Sequence, residues 1–369
     1  MLNEDKKLEL LLIGTGTSSQ VPSIACLTQP REEDSCECCR SKDMKNQRRN
    51  TSGILRVYSD SEPDRPKHIL IDAGKSFCEA ARDHFAKNKI RELSAVVLTH
   101  PHADAVNGLD DLRAWTLGGE IQKTIPIYCN QYTLSEISKA YGYLVDTTSR
   151  TGGGDVPSFE WHVIEDDVPF EVLGVRIAPL PVHHGTFFGD NPKPYICLAF
   201  LFDRSILYMS DVSYIPDSTF ELIDQLMFPV QKLPVLVVDT LRVANHSSHF
   251  GIAQSIHAAK RLSASKTYLL GFGHQVSHAC WEHCCEAISR GELPSKEELP
   301  AADPRYHKGL IENFDWFTQN ALRTIYSEDS GLTEEDSKGI WVRPAYDGLW
   351  LTVKGGFAED NGYCKLAIQ

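Results

Sequence analysis

Two histidines and an aspartate lie close together in the chain, at His100, His102 and Asp104. They follow the apolar run from Ser94 to Thr99, which predicts a short buried strand. Histidines two residues apart in an extended turn present both rings to one side, so the three polar side chains could converge on one point. Neutral imidazole and carboxylate groups suit zinc, and also iron or manganese. The pattern therefore predicts a catalytic metal site.

Cysteine is the second residue type with metal-binding potential. The 369-residue chain contains 11 cysteines, among them the adjacent pairs Cys38-Cys39 and Cys284-Cys285. An odd number with adjacent pairs argues against a full disulfide framework, and in a reducing compartment such clusters bind metal or are buried thiols. Cys280 and Cys284 have helical spacing, which favours a helix face over a further metal site.

These groups need strands and helices to position them. Apolar runs predict strands over residues 8–13, 52–58, 68–71, 94–99, 126–129, 172–179, 195–202, 206–209, 235–239 and 267–270. Helical spacing predicts helices over residues 76–87, 218–225 and 252–262. Two sheets flanked by helices fit this order, although other α/β layer folds fit it too.

The C-terminal part of the chain has fewer regular patterns. Residues from about 286 to 338 are polar, contain several prolines and are expected to form a surface insertion. Residues 340–353 predict a closing hairpin around Asp347-Gly348, and residues 354–369 are expected to form a loose tail. We therefore expect one domain over residues 1–353, followed by the tail.

Composition limits the class of protein. Hydrophobic residues make up 42% and charged residues 24%, and the mean hydropathy of −0.27 is typical of a soluble globular protein. The net charge of −13 disfavours nucleic acid as a partner unless a local basic groove overrides it. No apolar run approaches about 18 residues, and the first residues predict a strand rather than a signal peptide. We therefore expect a cytoplasmic protein without a membrane partner.

The sequence around the paired histidines resembles a known family. THPHADAVNGLDDLRAW, at residues 99–115, is similar to the H-x-H-x-D-H signature of metallo-β-lactamase fold hydrolases. Segments at residues 14–16, 48–53, 70–74 and 112–115 resemble the branch that contains the cyclic phosphodiesterase of bacterial phosphonate breakdown, together with uncharacterised plant and fungal proteins. The resemblance implies an α/β fold of four layers, the αββα metallo-β-lactamase sandwich.

For a first catalytic metal, the resemblance implies three histidine ligands. His100 and His102 match the paired histidines of the family. The third ligand is expected in a P-x-x-H-G turn, and in the segment Pro181-Val182-His183-His184-Gly185 the matching residue is His184. His183 is the alternative.

A second catalytic metal is implied less fully. Asp211 matches the aspartate that bridges the two metals, and Asp104 matches a ligand of the second metal. The two histidine ligands that the family has at that second site are replaced here by Ala105 and Gly271. His278 is a candidate replacement ligand. An enzyme with one catalytic metal and an enzyme with two are both open.

The resemblance also implies a structural zinc. His274 matches a histidine that joins three cysteines on a zinc ion in the phosphodiesterase branch. Cys26, Cys36 and Cys39 supply such a set, and three cysteines with one histidine are a tetrahedral zinc combination. Cys38 is the alternative to Cys36 or Cys39.

The implied activity is hydrolysis of a small or cyclic phosphodiester by metal-activated water. Asp104 would orient the water or accept its proton, and His249 resembles the family's histidine near the leaving group, acting as a general acid or a phosphate clamp. The implied cofactors are one structural zinc and one or two catalytic zinc ions, with manganese or iron as alternatives at the catalytic site. The implied partners are a small phosphodiester and a second copy of the chain in a homodimer.

Two other functions stay open at this point. A tRNA-processing nuclease would need a basic RNA-binding arm, and only the short stretch from Lys42 to Arg49 offers one. A non-catalytic metal-binding scaffold would fit the loss of two ligands from the second site. Metal content and phosphodiester turnover discriminate among the three functions.

Overall fold

Two mixed β-sheets form the centre of the computed structural model, which describes residues 7–31, 35–59, 62–149, 153, 156–189, 192–297, 314–327, 330, 332–333 and 339–363. The first sheet is eight-stranded and contains β1 (Lys7–Gly14), β2 (Ser52–Ser59), β3 (Glu62–Ile71), β4 (Ala95–Val97), β5 (Ile125–Asn130), β6 (Phe159–Ile164), β14 (Trp350–Lys354) and β15 (Phe357–Asp360). Its spatial order is β15-β14-β1-β2-β3-β4-β5-β6. The strands from β3 to β6 run parallel to one another, and the other neighbours are antiparallel.

The second sheet is seven-stranded and contains β7 (Phe170–Val172), β8 (Val175–Thr186), β9 (Pro194–Phe202), β10 (Ile206–Met209), β11 (Leu233–Asp239), β12 (Ala264–Leu270) and β13 (Val342–Pro344). Its spatial order is β13-β12-β11-β10-β9-β8-β7. The strands from β10 to β13 are parallel, whereas β7, β8 and β9 form antiparallel pairs. The predicted strands at 8–13, 94–99 and 235–239 correspond to β1, β4 and β11.

Helices cover the outer faces of both sheets. They are α1 (Ile24–Leu27), α2 (Glu37–Arg40), α3 (Phe77–His84), α4 (Ala103–Val106), α5 (Arg113–Thr116), α6 (Gln131–Ala140), α7 (Gly142–Val145), α8 (Asp217–Met227), α9 (Ile252–Arg261), α10 (His278–Ser289) and α11 (Phe314–Ile325). Single 3₁₀ turns lie at Met44–Asn46, Asp110–Leu112, Leu117–Gly119 and Thr147–Ser149. Within the described ranges, none of these helices combines the length and apolar composition that crossing a membrane requires.

Three apolar clusters lie between the layers. Leu10 and Phe200 are fully buried in the cluster between the two sheets. Phe77 of α3 belongs to the cluster on the outer face of the first sheet, and Ile256 and Trp281 belong to the cluster between the second sheet and α8–α11. Each fully buried side chain of this size stabilises the fold by about 1.5–3 kcal/mol. The order helix, sheet, sheet, helix confirms the predicted α/β fold, the four-layer αββα sandwich.

The candidate site lies where strands end. Because β3 and β4 are parallel neighbours, Asp72 and His100 follow them at the same edge of the first sheet. Because β10, β11 and β12 are parallel, Asp211, Asp239 and Gly271 lie at one edge of the second sheet. The polar groups of the site therefore come from both sheets.

The segment predicted as a closing hairpin crosses between the sheets instead. β13 pairs with β12 in the second sheet, whereas β14 pairs with β1 in the first. Between them, the Asp347 carboxylate accepts hydrogen bonds from Thr15 Oγ1 at 2.7 Å and from Arg49 N at 2.8 Å. The hairpin prediction is wrong because alternating apolar residues indicate strands without fixing which strand each one pairs with.

The expected insertion and tail also contain elements of the core fold. α11 lies within the segment expected as a surface insertion, yet it buries Phe317, Leu322 and Ile325 and packs against α9 and α10. β15 lies within the expected tail and pairs with β14, so the tail prediction is wrong for residues 357–360. A four-residue edge strand is too short for alternation to indicate it. Residues 298–313 and 364–369 of these two segments lie outside the described residues.

A close backbone approach at Gly74 fixes the metal-binding turn against the first sheet. A β-carbon at residue 74 would lie 1.8 Å from the carbonyl oxygen of Asp104. Beside this contact, Ala73 N donates to the Ala105 carbonyl at 2.7 Å. Only glycine fits such a contact.

Gly74→Ala should lower the free energy of unfolding by about 3 kcal/mol or more, because backbone rather than a flexible side chain blocks the added methyl group. Urea unfolding followed by circular dichroism measures the change. Gly142→Ala is the matched control, since the nearest atom to its added β-carbon is Ser149 Cβ at 4.0 Å. The control should change stability by no more than about 0.5 kcal/mol or increase it. Equal losses in both variants would contradict the close approach.

Candidate active site and cysteine cluster

Three histidines converge at the edge of the two sheets. The ligand atoms of His100, His102 and His184, hereafter the histidine cluster, all lie within 4.8 Å of one another. Nε2 of His100 is buried and, among the described residues, has no hydrogen-bond partner. An unpartnered, buried ring nitrogen is costly unless something binds it. The chemistry of this donor set therefore fits a divalent cation.

A hydrogen-bonded chain sets the tautomer of His100. Thr99 follows β4, and both its N and its Oγ1 donate to the Asp72 carboxylate at 2.8 Å. Since the Thr99 hydroxyl donates its proton to Asp72, its oxygen accepts from Nδ1–H of His100, 2.8 Å away. This arrangement leaves a lone pair on His100 Nε2, as a metal ligand requires.

His184 is oriented in the same way from the second sheet. It lies in β8, and its Nδ1 donates to the Ser248 carbonyl at 2.7 Å. His183 faces elsewhere: its ring packs against Tyr214 at 5.2 Å, and its backbone N donates to the Tyr214 carbonyl. Of the two candidates in the P-x-x-H-G segment, the structure brings His184 to the histidine cluster.

Burial keeps the imidazoles of His100 and His102 neutral. Loss of hydration lowers the pKa of His100 to about 3 and that of His102 to about 4. Asp211 opposes this effect, but burial is the larger cause in both cases. At neutral pH both rings therefore have the form that binds a metal ion.

A second group of potential ligands overlaps the first. The ligand atoms of His184, Asp211 and His249 also lie within 4.8 Å of one another. Asp211 follows β10 and is buried, which would raise its pKa, but the neighbouring histidines, of which His249 is protonated, lower it. Asp211 is therefore an ionised carboxylate between the histidine cluster and His249.

His249 is paired with a buried acid. Its Nδ1 lies 2.7 Å from Oδ2 of Asp239 and 3.8 Å from Oδ1 of Asp211. Burial would lower the pKa of His249, but Asp239 and Asp211 together raise it to about 9. Since Asp239 ends β11 and is fully buried, it holds a protonated imidazole at the edge of the histidine cluster.

The cysteine cluster is separate from these groups. The ligand atoms of Cys26, Cys36, Cys39 and His274 lie within 4.8 Å of one another, and Cys36 Sγ is 3.3 Å from His274 Nδ1. Backbone N–H groups donate to the sulfur atoms: Cys36 N to Cys26 at 3.1 Å and Ser23 N to Cys39 at 3.2 Å.

Cys38 is directed away from this cluster. Its Sγ contacts Asn46 Oδ1 at 3.5 Å. Within the cluster, the neighbouring Cys39 thiol and burial raise the pKa of Cys36 to about 12. Since thiols of such high pKa become ligands only when a metal replaces their protons, and the set has tetrahedral zinc chemistry, Cys26, Cys36, Cys39 and His274 fit a structural zinc.

Comparison with known proteins identifies the family. The family described as "Beta-lactamase superfamily domain" matches residues 67–272, more than half of the chain. The chain belongs to the metallo-β-lactamase superfamily. It has the metallo-β-lactamase fold.

Solved structures of the superfamily share the fold of this chain. A diphosphatase from the PhnP family aligns with a TM-score of 0.61 at 24% identity, over 94% of this chain and 97% of that one. Zinc-bound PqqB from Methylobacterium extorquens aligns with a TM-score of 0.54 at 13% identity, over 94% of this chain and 99% of that one. A curated relative, an octanoyltransferase of Porphyromonas gingivalis, is 26% identical over 277 residues. These cover 73% of this chain and 46% of the relative, so the chain spans less than half of that protein.

The departures from the metallo-β-lactamase signature have structural causes. Gly271 has φ +87°, and a β-carbon there would lie 2.5 Å from Asp239 Oδ1. The Asp239 carboxylate thus occupies the space that a side chain at 271 would need. Ala105 is buried in the apolar cluster under the first sheet. Asp104 is half-buried in the first turn of α4, and burial and the negative charge of Asp211 raise its pKa. It belongs to neither ligand group found among the described residues.

His278 is not a replacement ligand. It begins α10, its Nε2 lies 2.9 Å from the Tyr363 hydroxyl, and its ring meets Tyr346 edge to face. The prediction is wrong because the first turn of α10 places His278 against Asn46, Tyr346 and Tyr363, and it belongs to none of the ligand groups among the described residues.

Four residues of the site, Asp72, Thr99, Tyr195 and Asp239, escaped the sequence analysis as functional groups. Asp239 ends a predicted strand, as Asp72 directly follows one, and this position was the available signal. Thr99 orients His100 from the adjacent residue. Tyr195 of β9 stacks on His102 with ring centroids 4.6 Å apart and planes within 9°, a contact across the sheet that no local pattern indicates.

Cys36→Ser should remove about one zinc per chain and lower the melting temperature by about 5 °C or more, because a structural zinc contributes several kcal/mol to folding. Metal analysis after dialysis and differential scanning calorimetry measure the two effects. Cys38→Ser is the matched control, since its sulfur faces Asn46, and it should keep the zinc of the wild-type chain. Unchanged zinc content in Cys36→Ser would contradict the assignment.

Proposed function

We propose that this chain hydrolyses a small phosphodiester, with a divalent cation held by the histidine cluster and Asp211. The observation that carries the proposal is the pair formed by His249 and Asp239, with Nδ1 and Oδ2 2.7 Å apart, beside that cluster. This pair supplies a proton donor and a positive charge next to the metal-binding groups. In phosphodiester hydrolysis, the proton donor assists the leaving group and the positive charge attracts the anionic substrate.

The histidine cluster can hold a cation because the rings of His100 and His102 are neutral and hydrogen bonds orient those of His100 and His184. Thr99 and the Ser248 carbonyl engage Nδ1 of His100 and His184, which leaves the Nε2 atoms for the ion. Asp211 adds a negative charge on the other side of His184. When bound, the cation would activate water and polarise a phosphoryl oxygen.

His249 is the proposed general acid. Its Nδ1–H is engaged by Asp239, so Nε2–H is the proton available to a leaving-group oxygen. An alkoxide leaving from phosphorus is strongly basic, so its protonation lowers the barrier. The imidazolium also attracts an anionic diester, whereas its attraction for a neutral amide or lactam is weaker.

Asp104 is the proposed partner of the attacking water. Burial and the negative charge of Asp211 raise its pKa, so its carboxylate binds a proton more readily than an exposed aspartate does. We assign it to orienting the water and accepting its proton. Because residues 105 and 271 supply no imidazole for a second metal, we propose that the enzyme uses a single catalytic metal.

One structural neighbour supports this reaction class. The structural neighbour of the PhnP family is described as a diphosphatase, which also cleaves a phosphorus–oxygen bond. The net charge of −13 favours a small substrate over a long nucleic acid. A small anionic ester meets the local positive charge of His249 without lying across the acidic surface.

Turnover of bis-(p-nitrophenyl) phosphate with zinc or manganese tests the proposal. His100→Ala should lower kcat/KM by at least about 100-fold, because the cation loses a ligand. On a diester whose leaving group is an alkoxide, His249→Gln should lower kcat by about 10²- to 10⁴-fold with metal content unchanged, because the proton donor is lost. On bis-(p-nitrophenyl) phosphate the loss should be much smaller, because nitrophenolate is a weak base that leaves without a proton. His257→Gln, at an exposed position on α9, is the control and should keep wild-type activity.

Each alternative function predicts a different result. Metal bound at the histidine cluster with no turnover of any diester, but hydrolysis of a thioester or lactone, would refute the phosphodiesterase. Zinc only at the cysteine cluster and no turnover would support the scaffold. Salt-sensitive RNA binding with RNA cleavage would support the nuclease.

A further inference from the structure

A set of aromatic side chains leads from the histidine cluster to the surface. The aromatic rim consists of Tyr195, Phe187 and Tyr132. Tyr195 is the inner member and stacks on His102, with centroids 4.6 Å apart and planes within 9°. Phe187 lies 5.1 Å from Tyr195, and Tyr132 lies 6.0 Å from Tyr195 and 6.2 Å from Phe187. The rings form one continuous surface.

The histidine cluster opens on the side of this rim. His100 and His184 are 1% and 7% exposed, whereas His102 is exposed. The open face of the cluster is therefore the ring that Tyr195 stacks on. A substrate that reaches the cluster over His102 passes the aromatic rim.

The inner ring is fixed and the outer rings are free to bind. Tyr195 is 8% exposed, whereas Tyr132 and Phe187 are 39% and 43% exposed. Phe187 lies in the turn between β8 and β9, and its backbone N donates to the Lys193 carbonyl at 2.9 Å. Tyr132 is on α6, across from that turn. Two elements thus present half-covered ring faces to the same approach path.

Exposed ring faces next to an anion site suit a particular chemistry. Flat π-systems stack on aromatic side chains, and this contact strengthens binding by about 5- to 100-fold per stacked ring. Scattered exposed aromatic residues are ordinary, but here they are in mutual contact and continuous with a metal-ligand ring. An alkyl substituent of similar size has no flat face to stack on these rings, so it should bind more weakly.

We propose that the aromatic rim binds a flat aromatic substituent of the substrate, an aryl group or a nucleobase, next to the scissile phosphate. The inference rests on the proposed function for the position of the phosphate. Phe187 and Tyr132 are the specificity-determining residues. Tyr195 stacks on His102 and so connects these two rings to the histidine cluster.

Calorimetry with non-reacting anions tests the rim without requiring turnover. The metal-loaded wild-type protein should bind phenylphosphonate at least about 5-fold more tightly than methylphosphonate. The affinities for uridine 5′-monophosphate and ribose 5-phosphate are compared in the same way, to test whether the rim binds a nucleobase. Preference in the first pair alone would identify an aryl group, and preference in the second a nucleobase. Equal affinities within both pairs would overturn the proposal.

Variants assign the preference to the rim. Phe187→Ala and Tyr132→Ala should each reduce the preference to less than about 2-fold. Phe187→Leu should do the same although it keeps apolar bulk, whereas Phe187→Trp should retain the preference. Phe357→Ala is the control, because Phe357 is an 80% exposed aromatic residue on β15, and it should leave the preference unchanged. A preference that survives both Phe187→Ala and Tyr132→Ala would overturn the assignment.

The two proposals fail separately. An aromatic preference without turnover of bis-(p-nitrophenyl) phosphate would refute the phosphodiesterase and keep the rim. Turnover that depends on His100, with equal affinity for phenyl- and methylphosphonate and for the nucleotide pair, would keep the phosphodiesterase and refute the rim.

Discussion

Much of the site depends on the buried carboxylate of Asp239. Its Oδ2 accepts from His249 Nδ1 at 2.7 Å and from Val212 N at 3.2 Å, so the same atom holds the imidazolium and the turn that carries Asp211. Its Oδ1 lies where a side chain at Gly271 would be. A buried carboxylate without a charged partner is costly, so Asp239 and His249 stabilise each other as an ion pair. The protonated state of His249, the position of Asp211 and the absence of a side chain at 271 are therefore all connected to this one carboxylate.

Several buried carboxylates lie together at the site, and their negative charges oppose one another. Burial raises the pKa of Asp72, Asp104 and Asp239, and the negative charge of Asp211 adds to the effect in each. The imidazoles of His100 and His102 are neutral and do not offset these acids. A divalent cation bound here would supply positive charge and lower the proton affinity of the surrounding carboxylates. Metal binding and proton release are thus linked.

Sequence alone predicted what depends on local order along the chain. His100 and His102 follow a buried strand, and this local context indicated the metal site. The resemblance to a known family was needed to predict the roles of His184, Asp211 and the cysteine cluster. It could not indicate that Tyr195 stacks on His102, because that contact crosses from one element to another.

The failed predictions have the same origin. The predictions for His278 and for the hairpin at 340–353 are plausible from the sequence. The position of His278 depends on where α10 begins, and the fate of the hairpin depends on strand pairing between distant segments. Sequence order does not record either one. The reason for glycine at 271 is likewise visible only where Asp239 meets it.

The crossing of residues 344–350 between the sheets has a mechanical consequence. His100 and His102 come from the first sheet, whereas His184, Asp211 and His249 come from the second, so the site spans the gap between two layers. Apolar packing alone resists separation of the layers more strongly than sliding. The crossing segment joins β13 of the second sheet to β14 of the first, and its Asp347 is hydrogen-bonded to Thr15 and Arg49, so it ties the two sheets together. The spacing between the two halves of the site is thereby set before any ligand arrives.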